Sequence, residues 1–324
     1  MRLRGPLRLC AERNLRIACL AQRRKGPRRR KENRKATSFA KHPALLENTR
    51  AFISFSIRER NSMAPSDKLL VTLEDGVKRI TINRPERRNS VDTQTVTLLH
   101  EAIAQSADDE SKVVIITGAG DSFCAGADLQ ATSEHDIKNI DVTASLREHT
   151  NPTILAMRAL PKPIIARVHG HAVGVGCNYA LACDMLIASE QAKFGQVFVK
   201  IGLMPDGGST FFLPRAVGYA KAFELMATGE IISAQDAFAL GLVNRVVAFD
   251  ELDTTVNAMA ARLSAAAPIA LRKIKEGLNH GLTADLASAL DFEAVNQGVC
   301  FQSEDFREGV QAFLEKRLAQ FQGR

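Results

Sequence analysis

The sequence predicts an α/β fold with an α-rich C-terminal third, and three observations carry that expectation. Residues 113–117 and 163–168 are short, nearly all-apolar runs, each leading into a Gly-rich turn, as buried strands do. Residues 68–73 and 77–82 alternate around Glu74-Asp75-Gly76, the pattern of a hairpin. After Pro205 the apolar residues recur at helical spacing.

Taken in order, Asn83-Arg84-Pro85 ends the hairpin. Residues 92–106 place Val96, Leu98, Leu99 and Ile103 on a helical period, with Ser90 or Asp92 as cap. The strand at 113–117 opens a Gly-rich loop over 118–126. Residues 144–160 read as a helix interrupted near Pro152 and ended by Pro161 and Pro163. The strand at 163–168 leads into the second Gly-rich turn, 170–176, then a helix from 177–182 and a strand at 185–188. Asp206-Gly207-Gly208-Ser209 reads as a helix start. Further helices are expected at about 218–227, 233–239, 249–265, 267–280, 283–300 and 304–320. No fixed-period repeat stands out.

Composition narrows the class. The chain has 324 residues, 45% hydrophobic and 24% charged, the balance of a globular protein with a large core. No apolar run reaches the roughly 18–20 residues that a membrane span requires. The six cysteines (10, 19, 124, 177, 183 and 300) form no CxxC pair and no zinc-like cluster with histidine. They read as reduced, mostly buried residues in a reducing compartment. Nothing marks a base beside any of them, so none reads as a nucleophile.

Charge is uneven. Residues 1–62 hold 18 Lys/Arg against 4 Asp/Glu, a net of +14. The whole chain is +7, which leaves −7 for residues 63–324. With little apolar periodicity, the basic leader is expected to be disordered. Three readings of it stay open: translated sequence upstream of the true start, a mitochondrial transit peptide, or a basic arm for nucleic acid. Met63 before Ala-Pro-Ser-Asp and a strand looks like an ordinary N-terminus, which favours the first. The expected organisation is a leader at 1–62, a core at 63–258 and a helical region at 259–324. The expected compartment is the cytoplasm, or the mitochondrial matrix if the leader is a transit peptide.

Neither Gly-rich turn is a nucleotide motif: there is no GxxxxGK[ST], and no GxGxxG with a following acidic residue. Two such turns at strand ends can aim backbone N–H groups at one point, and the second also opens a helix, whose N-terminus favours negative charge. That is the requirement of an oxyanion hole. Tight turning is the other reading, and spacing alone leaves both open.

The chain from about 68 to 322 resembles the enoyl-CoA hydratase/isomerase (crotonase) superfamily. The resemblance is carried, in order, by Ile82-Asn83-Arg84-Pro85 with Asn89-Ser90, Phe123-Cys124-Ala125-Gly126-Ala127-Asp128-Leu129, and Val168-His169-Gly170 through Gly176. It continues with Ala182-Cys183-Asp184, Phe194-Gly195-Gln196, the stretch from Ile201 to Gly208, and Ala239-Leu240-Gly241-Leu242-Val243. It implies a ClpP/crotonase-like spiral of ββα repeats, with C-terminal helices that build a trimer, often paired into a hexamer. It implies a coenzyme A thioester as substrate; no further cofactor, metal or membrane is expected, and nucleic acid is the less favoured partner. The thioester oxygen would meet the N–H groups of Ala127 and Val175. The CoA-binding positions would be Ala125, Asp128, Arg87, Arg88 and Lys316; for the basic ones an exposed surface charge is the alternative.

Within the family, hydration uses two glutamates to activate water and deliver a proton. Here those positions are Asn178 and Phe198, which argues against ordinary hydratase activity. Asn178 would then line the pocket and bond a water or the substrate, and Phe198 would exclude water. Asp206 remains, either as a helix N-cap or as the base of the family's isomerases. The motifs are most similar to the 1,2-epoxyphenylacetyl-CoA isomerase and enoyl-CoA isomerase-like members. The expected reaction is therefore a double-bond shift from 3-enoyl to 2-enoyl thioester, with Asp206 as proton shuttle. The rivals are an enoyl-CoA hydratase of fatty-acid or aromatic degradation and a non-catalytic acyl-CoA or RNA-binding protein. His171, near the second turn, reads as a packing or loop histidine.

Overall fold

Leu69–Glu74 (β1) and Val77–Ile82 (β2) pair antiparallel around a two-residue Asp75-Gly76 turn. Both turn residues have positive φ, 50° and 74°, the geometry whose twist matches a hairpin. In this computed structural model residues 67–129 and 139–324 are described, so the expectations for the leader lie outside the described residues.

From β2 the sheet continues in parallel through Val113–Gly118 (β3), Ile164–Val168 (β4), Met185–Ser189 (β6) and Arg245–Val247 (β9). The order is β1-β2-β3-β4-β6-β9. β3 and β4 are buried along their whole length, which is why their sequences run apolar without alternation. A second, smaller sheet holds His171–Val173 (β5), Lys193–Gly195 (β7) and Ile231–Ser233 (β8). Parallel bridges from Cys124 to Ala172 and from Val91 to Ala127 extend it.

The path repeats. A main-sheet strand is followed by a step through the second layer, then by a helix. Val91 precedes Thr93–Gln105 (α1), residues 124–127 precede Asn151–Ala159 (α2), and β5 precedes Val175–Ala182 (α3). β7 precedes a 3-10 turn, Val197–Ile201, and then Ser209–Val217 (α4). This is the expected ββα spiral. Its second-layer strands are three residues each, too short to show a period in sequence.

One face of the main sheet packs Ile80, Ile82, Val114 and Ile116 against Leu99 and Ile103 of α1. The other packs Val113, Ile115, Ile165 and Ile187 against Leu252, Val256, Met259 and Ala260. Of the two candidate caps for α1, the chain uses Asp92, which accepts the Thr95 N–H at 2.9 Å. The expected break near Pro152 is a π-helical turn, Leu146–Thr150, which joins Val142–Ser145 to α2. Pro152 has no N–H to give, and the π turn moves the bond to Asn151, which donates to Leu146.

Beyond α4 come Tyr219–Thr228 (α5), Ala234–Ala239 (α6), Leu252–Ser264 (α7), Pro268–Gly281 (α8), Leu286–Gln302 (α9) and Glu304–Glu315 (α10). The boundary at 258/259 falls inside α7, whose buried face belongs to the sheet, so the outer helical region begins physically at α8. The last helix, expected to reach 320, stops at Glu315 because Lys316 turns left-handed at φ 56°. The tail then folds back: Asp305 accepts the Gln322 N–H at 2.7 Å, and Arg324 O accepts that of Glu304 at 2.7 Å. No described helix is long and apolar enough to cross a membrane.

Candidate active site

The first Gly-rich loop is braced by buried polar side chains. Arg84 donates to Asp128 at 2.7 Å and also to Ser90 O. Asn89, fully buried at φ 57°, accepts the Arg84 N–H at 2.9 Å and donates to Ala119 O and Ser122 O at 2.7 and 2.6 Å. His169 is held between Arg167, 2.9 Å from Nδ1, and Gly120 O, 2.8 Å from Nε2. With Arg167 donating, the ring is neutral and carries its proton on Nε2; burial and then the Arg167 charge push its pKa down. The histidine that matters to the loop is thus His169. His171 lies in β5, where its carbonyl accepts the Cys124 N–H.

In the second turn Gly174 adopts φ 57° and ψ −134°, a backbone open in practice to glycine, and α3 starts at Val175. The two turns meet at their glycines. A Cβ on Gly126 would lie 3.1 Å from Val173 O, and one on Gly174 would lie 3.8 Å from the Gly126 Cα. Ala127 and Val175 each directly follow one of these two glycines. The Val175 N–H is at the first position of α3, where no helical partner exists. Among the described residues neither N–H meets an acceptor.

Phe198, in the 3-10 turn, is buried, and its Cζ is 3.9 Å from the Gly174 Cβ position, so the ring walls the second turn. Asn178 lies one turn into α3 and is fully buried. Its Nδ2 donates to Asp206 O at 2.8 Å, and its Oδ1 accepts from Gln196 Nε2 at 2.7 Å. Each end of the amide thus makes one bond to protein, which leaves the second N–H and one oxygen lone pair for the expected water or substrate. Nothing in the Phe194-Gly195-Gln196 motif ties Gln196 to Asn178 in sequence; only the fold brings the two together.

Asp206 does not cap α4. The cap is Gly208, with no side-chain bond to the helix. The Asp206 carbonyl accepts from Asn178 and, at 3.0 Å, from the Ser209 N–H. Its carboxylate Oδ1 is buried and has no hydrogen-bond partner among the described residues. Burial pushes this carboxyl above the ordinary carboxylate range. Gly207 presses the segment onto α3: a Cβ there would lie 3.3 Å from both Asn178 and Val175. A poorly solvated carboxylate thus belongs to a segment packed against α3, the helix that the second turn opens.

The remaining residues divide. Ala125 donates its N–H to Arg88 O at 3.0 Å, so exposed Arg87 and Arg88 flank the first turn. Asp128 is buried against Arg84, where it holds the loop. Lys316 caps α10 as an exposed side chain, and no described contact joins it to this group. Cys124, Cys177 and Cys183 are buried thiols, and burial lifts Cys124 and Cys177 to about 12, which keeps them inert. Among the described residues no group of three or more His, Cys, Asp or Glu side chains is placed to hold a metal ion.

Residues 72–324 match the family model for enoyl-CoA hydratase/isomerase. The chain belongs to this family. It is 39% identical over 254 residues to a probable enoyl-CoA hydratase of Rhodobacter capsulatus, an alignment covering 78% of this chain and 96% of that protein. It is 38% identical to the 1,2-epoxyphenylacetyl-CoA isomerase of Escherichia coli, covering 79% and 98%. An enoyl-CoA hydratase structure from Geobacillus kaustophilus superposes with a TM-score of 0.74 at 35% identity, covering 80% of this chain and all of that one. The spiral is therefore the crotonase fold, and the protein is an enoyl-CoA hydratase/isomerase family enzyme whose substrate class is the acyl-CoA thioester.

Proposed function

We propose that the enzyme shifts the double bond of an enoyl-CoA, from the 3-enoyl to the 2-enoyl thioester or in an epoxyphenylacetyl-CoA-type isomerisation. One observation carries this reading: half-buried Asp206, whose carboxylate Oδ1 is buried without a partner among the described residues, stands without the two family glutamates, since the hydratase positions hold Asn178 and Phe198. Asp206 takes the proton alpha to the thioester carbonyl. The N–H groups of Ala127 and Val175 hold the enolate oxygen, each donor contributing about 2.7–4 kcal/mol on acyl-transfer precedent. Asp206 then returns the proton to the gamma carbon. One carboxylate suffices for a shuttle, and Phe198 keeps water from the enolate. Its raised pKa suits Asp206 to the task of a base.

Coenzyme A is the substrate carrier, with no further cofactor. Ala125, Arg87, Arg88 and Lys316 are the proposed contacts to it. A homotrimer or homohexamer is the proposed assembly, supported by the exposed apolar residues of α8–α10. The cytoplasm is the proposed compartment, or the matrix if the leader directs import.

The name of the Rhodobacter capsulatus relative favours a second reading, hydration. Loss of crotonyl-CoA at a rate near that of 3-enoyl isomerisation would establish it. The decisive variant is Asp206→Asn, assayed by deuterium exchange at the alpha carbon of an acyl-CoA. Exchange should fall by about 10²–10⁴, the range for loss of a general base. Unchanged exchange would remove Asp206 from the chemistry.

A further inference from the structure

We infer that the amide pair Gln196–Asn178 is a positioning device that fixes the backbone of Asp206 while leaving Oδ1 of its carboxylate unbonded. This rests on the reading of Asp206 as the base.

The direction of the chain of bonds is dictated from one end. The Asp206 carbonyl can only accept, so Asn178 must turn its NH₂ toward it, at 2.8 Å. The Asn178 oxygen then faces Gln196, which must present its own NH₂, at 2.7 Å. Only this pair of orientations satisfies both contacts. The residual cost falls on Gln196 Oε1, which is buried and has no partner among the described residues. A buried acceptor left unsatisfied destabilises the fold, because its hydration is lost and not replaced. A glutamine kept at that cost supplies something that an apolar residue of its size would not.

What it supplies is visible at Asp206. The carbonyl receives two donors, from Asn178 and Ser209, and Oδ1 of the carboxylate receives none. A donor on the carboxylate would stabilise its charged form and weaken it as a base. A donor on the carbonyl holds the residue and leaves its lone pairs for the substrate proton. Restraint is required here, because Gly207 and Gly208 follow at φ 54° and 81° and give the segment backbone freedom. Asn178 and Val175 are also three residues apart on α3. The same rigid turn therefore carries one oxyanion donor and the anchor of the base. Their separation is set by one helix rather than by two loops.

The test compares Gln196→Glu and Gln196→Met with Asp206→Asn in the full-length enzyme. The readout is deuterium exchange into butanoyl-CoA in D₂O, with kcat and KM taken separately. In Gln196→Glu the new carboxylate can only accept, so Asn178 must turn its NH₂ away from Asp206 and present an oxygen to an oxygen. Gln196→Met removes the donor without forcing that turn. The expected kcat loss is about 100-fold for Gln196→Glu, the scale of a small misplacement of a reacting group. The expected loss is smaller, about tenfold, for Gln196→Met, with KM within about threefold in both. If Gln196→Glu fails to fold, the Gln196→Met variant decides by the same criterion. Exchange lost in Asp206→Asn but kept within twofold in the Gln196 variants overturns the positioning role and leaves the base in place. A raised KM with unchanged kcat also overturns it, because Asn178 would then be a substrate contact. Exchange unchanged in Asp206→Asn overturns the base itself, and this inference with it.

Discussion

β3 and α9 have similar apolar content and opposite fates. All six residues of β3 are buried, between parallel neighbours and under helices on both faces. None of the 17 residues of α9 is buried, and Leu286, Val295 and Phe301 are each more than 60% exposed. Burial is thus a property of position in the fold and not of composition. The spiral satisfies its apolar surface within one chain. The outer helices do not, and they leave large apolar side chains exposed on the single chain.

A polar cluster ties α8 to the spiral. Lys275 of α8 is buried and donates to Asp184 at 2.7 Å, to Met157 O at 3.0 Å and to Lys162 O at 3.2 Å. Arg158 of α2 reaches both Asn279 and the Asp184 carboxylate. The largest expected effect on stability therefore comes from Lys275→Ala. Removing one partner of a buried ion pair costs about 3–5 kcal/mol, and the two carbonyls would lose their donor as well. Asp184 keeps the Ile164 N–H at 2.8 Å, which places the cost at the lower end. Urea unfolding of the purified enzyme measures it. A loss under about 1 kcal/mol would mean that apolar contacts, not this lock, hold α8.

Acid separates carboxylates within the spiral itself. At Asp92 burial raises the carboxyl pKa, but bonds from Lys68 and Thr95 more than offset it and bring it from 3.8 to about 2. Asp109 is likewise held well below the usual range: burial opposes this, and Ser111, Lys78 and Lys162 outweigh it. A lowered folded pKa contributes stability above the unfolded value and loses it as pH falls through the folded one. For Asp92 that window runs from about 3.8 down to about 2. Asp92→Asn keeps a good cap and removes the charge. It should flatten the loss of stability between pH 5 and pH 2.5 by about 1 kcal/mol at most, the scale of a partly exposed pair. Asp206 has the opposite sign. Its raised pKa means that the basic form is lost at higher pH than in an ordinary carboxylate. Alpha-carbon exchange should therefore fail on acidification before the fold does, and an acid limb at or below the ordinary 3.8 would contradict the burial of this group.

The same division explains what sequence could show. β3 and β4 were legible because burial on both faces leaves an uninterrupted apolar run. β5, β7, β8 and β9 were not, because three residues hold no period. The Gly-rich turns were visible, but spacing could not say that Gly126 and Gly174 lie against each other; the ordered motifs implied only that the N–H groups of Ala127 and Val175 meet one oxygen. Asn178 was read from its position in the family, and its bonds to Gln196 and Asp206 depend on residues 18 and 28 positions away. Lys275 gave no signal at all. A lysine on an amphipathic helix reads as a solvent-facing charge, and only the packing of α8 over Asp184 makes it a buried one.

The smallest expected effect on the single chain is also the one that tests the comparison most directly. Phe313 of α10 is 81% exposed, beside Leu314 at 74% and Phe306 across an apolar cavity of about 420 Å³. If this face is left to solvent, Phe313→Ser should be neutral or helpful in every respect. If it is covered by another copy, the substitution should separate two quantities that normally move together. Unfolding measured at concentrations too low for association should change by less than about 0.5 kcal/mol, as for an ordinary surface position. The mass in solution at high concentration should fall, because an aromatic anchor at an interface contributes about 2 kcal/mol or more when it is central. Sedimentation of wild type and variant across a concentration series reads both. A wild type that stays a monomer throughout would show that the apolar face of α8–α10 serves something other than self-association. A variant that assembles as tightly as wild type would place the contact elsewhere on the same helices.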